Sequence, residues 1–94
     1  MKHEFAIDLK GTSDADALQD VLVANLPLPP DYGRNLDAFY DILTEYGADW
    51  RIVFRNVGRA ATPLRAVCRD AVAETPGLEI VFEKKRRAVS RKRP

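Results

Sequence analysis

Residues 31–46 read DYGRNLDAFYDILTEY, and the rest of the chain is organised around this stretch. It begins with a Tyr-Gly turn and continues as a run in which apolar residues recur at helical spacing. The apolar positions that share one side are Leu36, Phe39, Ile42 and Leu43, with Tyr40 at the edge. The pattern predicts a short amphipathic helix that packs this side against a core.

The other side of the predicted helix is acidic. Asp37 and Asp41 are four residues apart, so their carboxylates lie one turn above each other. Like charges at this spacing cost a helix roughly 0.2–0.5 kcal/mol, and Tyr32, Tyr40 and Tyr46 flank them. The sequence therefore predicts a patch that is negative at its centre and aromatic at its edges. Composition alone leaves two interpretations open, a solvated helix face or a binding surface.

Catalytic and metal-binding roles for these carboxylates have no support elsewhere in the sequence. The only histidine, His3, lies in the first predicted strand, and no loop has the spacing of a calcium site. No nucleophile–base pair and no metal-ligand spacing is visible. We therefore expect no enzyme activity, no cofactor and no metal.

Length and composition indicate one domain. The chain has 94 residues, of which 46% are hydrophobic, and a single core at this size buries roughly 60–65% of the unfolded surface. No run approaches the roughly 20 apolar residues of a membrane helix, and the first residues do not resemble a signal peptide. Cys68 is the only cysteine, so we expect a buried thiol and a cytoplasmic location.

The net charge of +1 hides an asymmetry along the chain. Residues 84–94 hold seven basic residues and no acid, whereas residues 1–83 hold eight basic and fourteen acidic residues, a net charge of −6. An acidic body indicates a basic partner, whose association it would accelerate by steering. We therefore divide the chain into an α/β domain over 1–83 and a basic tail over 84–94, which is expected to be disordered.

Five further elements flank the central helix. They are predicted as a strand over 3–9, a helix over 14–25 with Ser13 as its N-cap, a strand over 50–55, a helix that starts at the Thr62-Pro63 cap and runs to about Glu74, and a strand over 78–83. Crossover connections between successive strands give a parallel sheet. The sequence thus predicts a small single α/β domain, a three-stranded parallel sheet packed with about three helices.

The central stretch resembles the signature of the barstar family, intracellular inhibitors of a secreted ribonuclease. The resemblance is carried by Tyr32-Gly33, Asn35-Leu36-Asp37-Ala38, Asp41 and Leu43-Thr44, preceded by Leu26-Pro27-Leu28-Pro29. It implies a three-stranded parallel sheet with the second strand at one edge and the first in the middle. The family's small extra helix before the last helix is expected to be missing, because that segment looks shorter here.

The resemblance also implies a function, one-to-one binding to a secreted microbial ribonuclease. We expect a chain that is monomeric when free and does not bind membranes. Asp41 corresponds to the family's principal anchor, which enters the enzyme's phosphate pocket, and Asp37 to a second acidic contact. A carboxylate on a rigid helix can replace phosphate because it accepts bidentate hydrogen bonds from arginine. The other positions predicted to contact the partner are Asp31, Tyr32, Gly33, Asn35, Tyr40, Thr44, Tyr46 and Asp70.

Four positions depart from the family pattern. Asp31 stands where the family has an aromatic residue, Arg34 where it has an acid, and Tyr40 and Tyr46 where it has tryptophans. These changes leave the two carboxylates in place but alter the residues around them. A related guanyl-specific ribonuclease or a toxin nuclease is therefore an equally compatible partner. The alternative function is a nucleic-acid-associated regulatory module, in which the basic tail binds phosphates.

Overall fold

The computed structural model describes residues 2–84; Met1 and residues 85–94, and with them nearly all of the predicted tail, lie outside the described part. The elements are β1 (His3–Asp8), α1 (Ala15–Asn25), α2 (Leu36–Tyr46), β2 (Trp50–Val57), α3 (Thr62–Glu74) and β3 (Glu79–Lys84). Single 3-10 turns precede β2 (Gly47–Asp49) and α3 (Arg59–Ala61). Three parallel strands and three helices confirm the predicted α/β class. None of the helices in residues 2–84 is long and apolar enough to span a membrane.

The strand order is β1-β2-β3, so β2 lies in the middle and the expectation of a central first strand is wrong. A central β1 would require the two right-handed crossovers to run in opposite directions, which places helices on both faces. Both faces would then need apolar residues. In β2, however, Ile52 and Phe54 are fully buried, while Arg51 and Arg55 point to the opposite face. With β2 in the middle, both crossovers run the same way and the helices cover one face.

The opposite face of the sheet is charged. Arg51 Nε lies 3.4 Å from Glu79 Oε1, and Arg55 Nε lies 3.7 Å from Glu83 Oε1, so each ion pair joins β2 to β3. These groups are about half exposed, and such pairs contribute little to stability. Their role is to make this face compatible with water.

β2 continues two residues beyond the predicted end at Arg55. Asn56 adopts a left-handed conformation (φ 57°), which Asn tolerates better than most residues. Its Nδ2 donates a hydrogen bond of 2.7 Å to Asp8 Oδ1, and this bond is the main reason why the pKa of Asp8 is lowered. The local irregularity turns Val57 back into the core, where it is 8% exposed.

The helix layer and the sheet share one hydrophobic core. Its fully buried side chains include Ile7, Leu22, Phe39, Leu43, Ile52, Phe54, Leu64 and Cys68. The prediction that Cys68 is a buried thiol is confirmed, and burial raises its pKa to about 12. The buried sides of the three helices therefore share one core with the inner face of the sheet.

Two predicted caps are displaced by one residue. Asp14, not Ser13, caps α1, because its Oδ1 accepts a hydrogen bond of 2.8 Å from Ala17 N. At α3 the cap position is Ala61 and Thr62 is already helical, because the 3-10 turn runs directly into the helix. The 3-10 turn of Arg59–Ala61 lies between β2 and α3, in the segment where the family's small extra helix was expected to be missing.

Thr75 at the C-terminus of α3 gives a first stability prediction. Its hydroxyl is buried and has no hydrogen-bond partner within residues 2–84. Thr75→Val removes the unpaired hydroxyl and keeps the shape, so we expect urea unfolding to show a gain of about 1 kcal/mol. The matched control is Thr62→Val, because Thr62 Oγ1 donates a hydrogen bond of 2.9 Å to Arg59 O. Thr62→Val should therefore lose stability. A loss of stability in both variants would contradict the conclusion that the Thr75 hydroxyl is unpaired.

Candidate functional site

α2 begins at a strong cap. Asn35 Oδ1 accepts a hydrogen bond of 2.7 Å from Ala38 N, and Asn35 Nδ2 donates one of 3.3 Å to Gly33 O. The Asn35 amide thus joins the first turn of α2 to the loop of residues 29–35. Gly33 is tightly placed, since a Cβ there would lie 3.3 Å from Ala38 Cβ. These two predicted contact residues therefore also fix the direction in which α2 leaves the loop.

Two side-chain bonds hold the 29–35 loop against α1. Tyr32 Oη donates a hydrogen bond of 2.6 Å to Oε1 of the buried Gln19, and burial raises the pKa of Tyr32 to about 12. Arg34 adopts a left-handed conformation (φ 55°), and its Nη2 lies 2.6 Å from Asp20 Oδ1. The loop is therefore clamped at two positions that are one residue apart on α1.

Tyr32→Phe tests the first clamp. The change leaves the carbonyl oxygen of Gln19 buried without its donor, so we expect a loss of about 1–3 kcal/mol in the free energy of unfolding. In a double-mutant cycle, the further change Gln19→Met should recover part of that loss, because both polar partners are then gone. Additive losses in urea unfolding would show that the two side chains are not coupled.

The acidic side of α2 is exposed as predicted. Asp37 and Asp41 both lie on the surface, and within residues 2–84 neither carboxylate takes part in an ion pair. No side-chain hydrogen bond in the same part of the chain involves them either. A third acid, Glu45, follows at the same four-residue interval and is also exposed. Residues 2–84 thus leave this row of charges unpaired.

A depression of about 260 Å³ lies between α2 and the 29–35 loop. Its lining comprises Pro29, Asp31, Tyr32, Gly33, Ala38, Asp41, Ile42, Glu45 and Tyr46. We call it the acidic depression, since Asp31, Asp41 and Glu45 contribute three carboxylates. Tyr32 and Tyr46 supply aromatic surface, and Tyr46 is 54% exposed. Glu45 was not among the predicted site residues, although its spacing from Asp41 was a usable signal.

Three other predicted residues, Asp37, Tyr40 and Thr44, belong to α2 but do not line this depression. Asp37 lines a neighbouring groove with Arg34 and Arg59. Tyr40 is half-buried against the core, and Thr44 Oγ1 donates a hydrogen bond of 3.0 Å to its carbonyl oxygen. By helical spacing, Tyr40 and Thr44 occupy the flank of α2 opposite the depression.

A model of the family described as barstar (barnase inhibitor) matches residues 2–83. This chain belongs to the barstar family. A comparison with curated proteins found no match. The family's description is that of ribonuclease inhibitors rather than enzymes.

The barstar-family match ends one residue before the last residue of β3. Lys84, assigned above to the tail, is the last residue of β3, and the remaining tail residues lie outside the described part.

Asp70, the predicted contact on α3, is exposed, and its Oδ1 lies 3.9 Å from Arg69 Nε. It lines neither the acidic depression nor the groove beside it. Within residues 2–84, no group of three potential metal ligands occurs.

Proposed function

We propose that this barstar-family chain is a cytoplasmic inhibitor that binds the active site of a secreted, guanyl-specific microbial ribonuclease one-to-one. The observation that carries the proposal is the pair of exposed carboxylates, Asp37 and Asp41, on a capped helix with no partner among residues 2–84. A ribonuclease must bind phosphate, so its active site gathers cationic side chains. In that site Asp41 takes the phosphate position and accepts charge-assisted hydrogen bonds, but it offers no bond to cleave.

The rigidity of the site supports this function. The Asn35 cap and the bond of Tyr32 to the buried Gln19 hold α2 and its loop in one arrangement before any partner binds, and the exposed Arg34–Asp20 pair adds a weaker contact. Binding then orders few side chains, and a smaller entropy cost leaves more of the interaction energy as affinity. The remaining predicted contacts, Asp31, Tyr32, Gly33, Tyr40, Thr44, Tyr46 and Asp70, surround or extend this surface in the proposal.

The acidic depression offers the interface a second contact, in which a side chain of the enzyme enters this chain. Its three carboxylates and two tyrosines suit a basic side chain of the enzyme, because carboxylates pair with it and aromatic faces attract it. Asp41 lines the depression, so it can contact both the enzyme's phosphate pocket and a cation inserted beside it. A site of this kind requires a ribonuclease with several cations around its active site.

The test is a titration of the chain into a guanyl-specific ribonuclease that cleaves a fluorogenic RNA. We expect activity to fall linearly to zero at one equivalent when the enzyme concentration is far above the dissociation constant. Inhibition could instead depend on the RNA concentration and not on the enzyme concentration, and disappear when residues 85–94 are deleted. That result would show that the chain binds the RNA through its tail, and it would support the nucleic-acid alternative. Full activity at a large excess of the chain, across several such enzymes, contradicts the proposal.

A further inference from the structure

A second concave surface lies between α3 and β3, and none of the residues lining it belongs to α2. This α3–β3 groove has a volume of about 670 Å³, within the range of binding clefts. Its apolar floor is formed by the half-buried Ile80 and Phe82, by Cys68 and by Val72, which is 38% exposed. The floor is therefore suited to apolar side chains of a bound segment.

Two arginines, one turn apart on α3, line the rim of the groove. The guanidinium carbon of Arg65 lies 5.0 Å from the centroid of the Phe82 ring, so the group makes a cation–π contact, and its N–H groups can still bind a carboxylate. Arg69 contacts Asp70 at 3.9 Å on the surface, and such an exposed pair contributes little. Both cations are thus suited to bind carboxylates above the apolar floor.

The third component of the groove is the edge of the sheet. Within the described sheet β3 pairs only with β2, so its other side presents unpaired backbone N–H and C=O groups. Such an edge is a template for an added strand. Residues four apart on a helix are separated by about 6 Å along its axis, and residues two apart on a strand by about 6.6 Å. Carboxylates at alternate positions of an added strand therefore match the spacing of Arg65 and Arg69.

We propose that the α3–β3 groove binds an extended, acidic segment of another protein by strand addition to β3. Two carboxylates at alternate positions pair with Arg65 and Arg69, and an apolar residue two positions further packs on Val72. The chain's own residues 85–94 do not fit this role, since they contain six cations and no acid. A second copy paired through β3 would bring two sets of arginines together, so we assign the groove to an acidic partner.

The experiment uses the full chain and the fluorescently labelled peptide Glu-Thr-Glu-Thr-Leu-Thr, with the binding followed by anisotropy. We expect saturable binding that weakens with salt, together with slower amide exchange in β3. Arg65→Gln and Arg69→Gln should each weaken binding about five- to tenfold, the effect of losing one net hydrogen bond at the surface. Lys10→Gln, which removes a cation from the turn after β1, should leave the affinity unchanged.

Several outcomes would overturn the inference. Equal binding of the peptide Lys-Thr-Lys-Thr-Leu-Thr would show that the arginines do not select acids. Loss of binding on deletion of residues 85–94 would assign the peptide site to the tail. Self-association of the free chain that is abolished by Arg65→Gln would assign the groove to a second copy. Binding without any change in β3 amide exchange would exclude strand addition.

Discussion

Asp41→Asn is expected to weaken inhibition of the cognate ribonuclease by about 30- to 5,000-fold. The change removes one charge and keeps the shape, so the enzyme's cations are left desolvated and unpaired at the centre of the interface. Truncating one partner of a buried charge pair costs about 2–5 kcal/mol, a range that already includes complexes of this family. The loss should lie mainly in a faster dissociation rate, because association is governed by the overall charge.

The matched control for Asp41→Asn is Glu4→Gln. Glu4 is an exposed acid on the first strand, on the charged face of the sheet opposite the helices, and its neutralisation changes the net charge by the same amount. We expect it to change the association rate slightly and the dissociation rate not at all. Association and dissociation rate constants measured by surface plasmon resonance at two salt concentrations separate these effects. Equal losses for both variants would mean that net charge, and not Asp41 itself, determines the affinity.

Gly77→Ala is expected to give the largest loss of stability among the glycine-to-alanine changes within residues 2–84, about 3 kcal/mol or more. Gly77 joins α3 to β3 with φ 98°, a conformation that costs other residues roughly 1–2 kcal/mol. An added Cβ would also overlap the carbonyl group of Ala48, which belongs to the turn that leads into β2. That backbone cannot move without shifting the central strand, and overpacking of this kind costs about 1–3 kcal/mol more.

Gly11→Ala is the control for this prediction. Gly11 also has a positive φ, 79°, but nothing lies within 4 Å of the position that its Cβ would occupy. The loss of stability in Gly11→Ala therefore measures the cost of the positive φ alone. The difference between the losses of the two variants measures the cost of the overlap with Ala48. Equal losses in urea unfolding would show that this close approach does not exist in solution.

The central helix could be predicted from sequence because its signals are local. The Asn35 cap, the helical spacing of apolar residues and the burial of Phe39 and Leu43 all depend on a few neighbouring residues. The strand order could not be obtained from the resemblance, which implied a different middle strand. The alternation of Arg51 and Arg55 with buried residues in β2 contained the correct answer, since it requires one face of the sheet to meet water.

The candidate site was predictable only in part. Helical spacing identified the exposed carboxylates of Asp37 and Asp41, and it would also have identified Glu45. The clamps between α1 and the 29–35 loop, including the contact of Arg34 with Asp20, join residues with no periodic relation in sequence. Such contacts depend on how two helices pack, so the sequence alone gives no signal for them.

The most direct test of the central claim is competition with a nucleotide that occupies the enzyme's phosphate site. The apparent dissociation constant of the chain for the ribonuclease would be measured by calorimetry at increasing concentrations of guanosine 3′-monophosphate. If the carboxylates of α2 replace phosphate, the apparent constant should rise in proportion to nucleotide concentration, and Asp41→Asn should bind far more weakly at every concentration. An affinity that does not change with nucleotide would mean that both ligands bind at once, and that α2 does not occupy the active site.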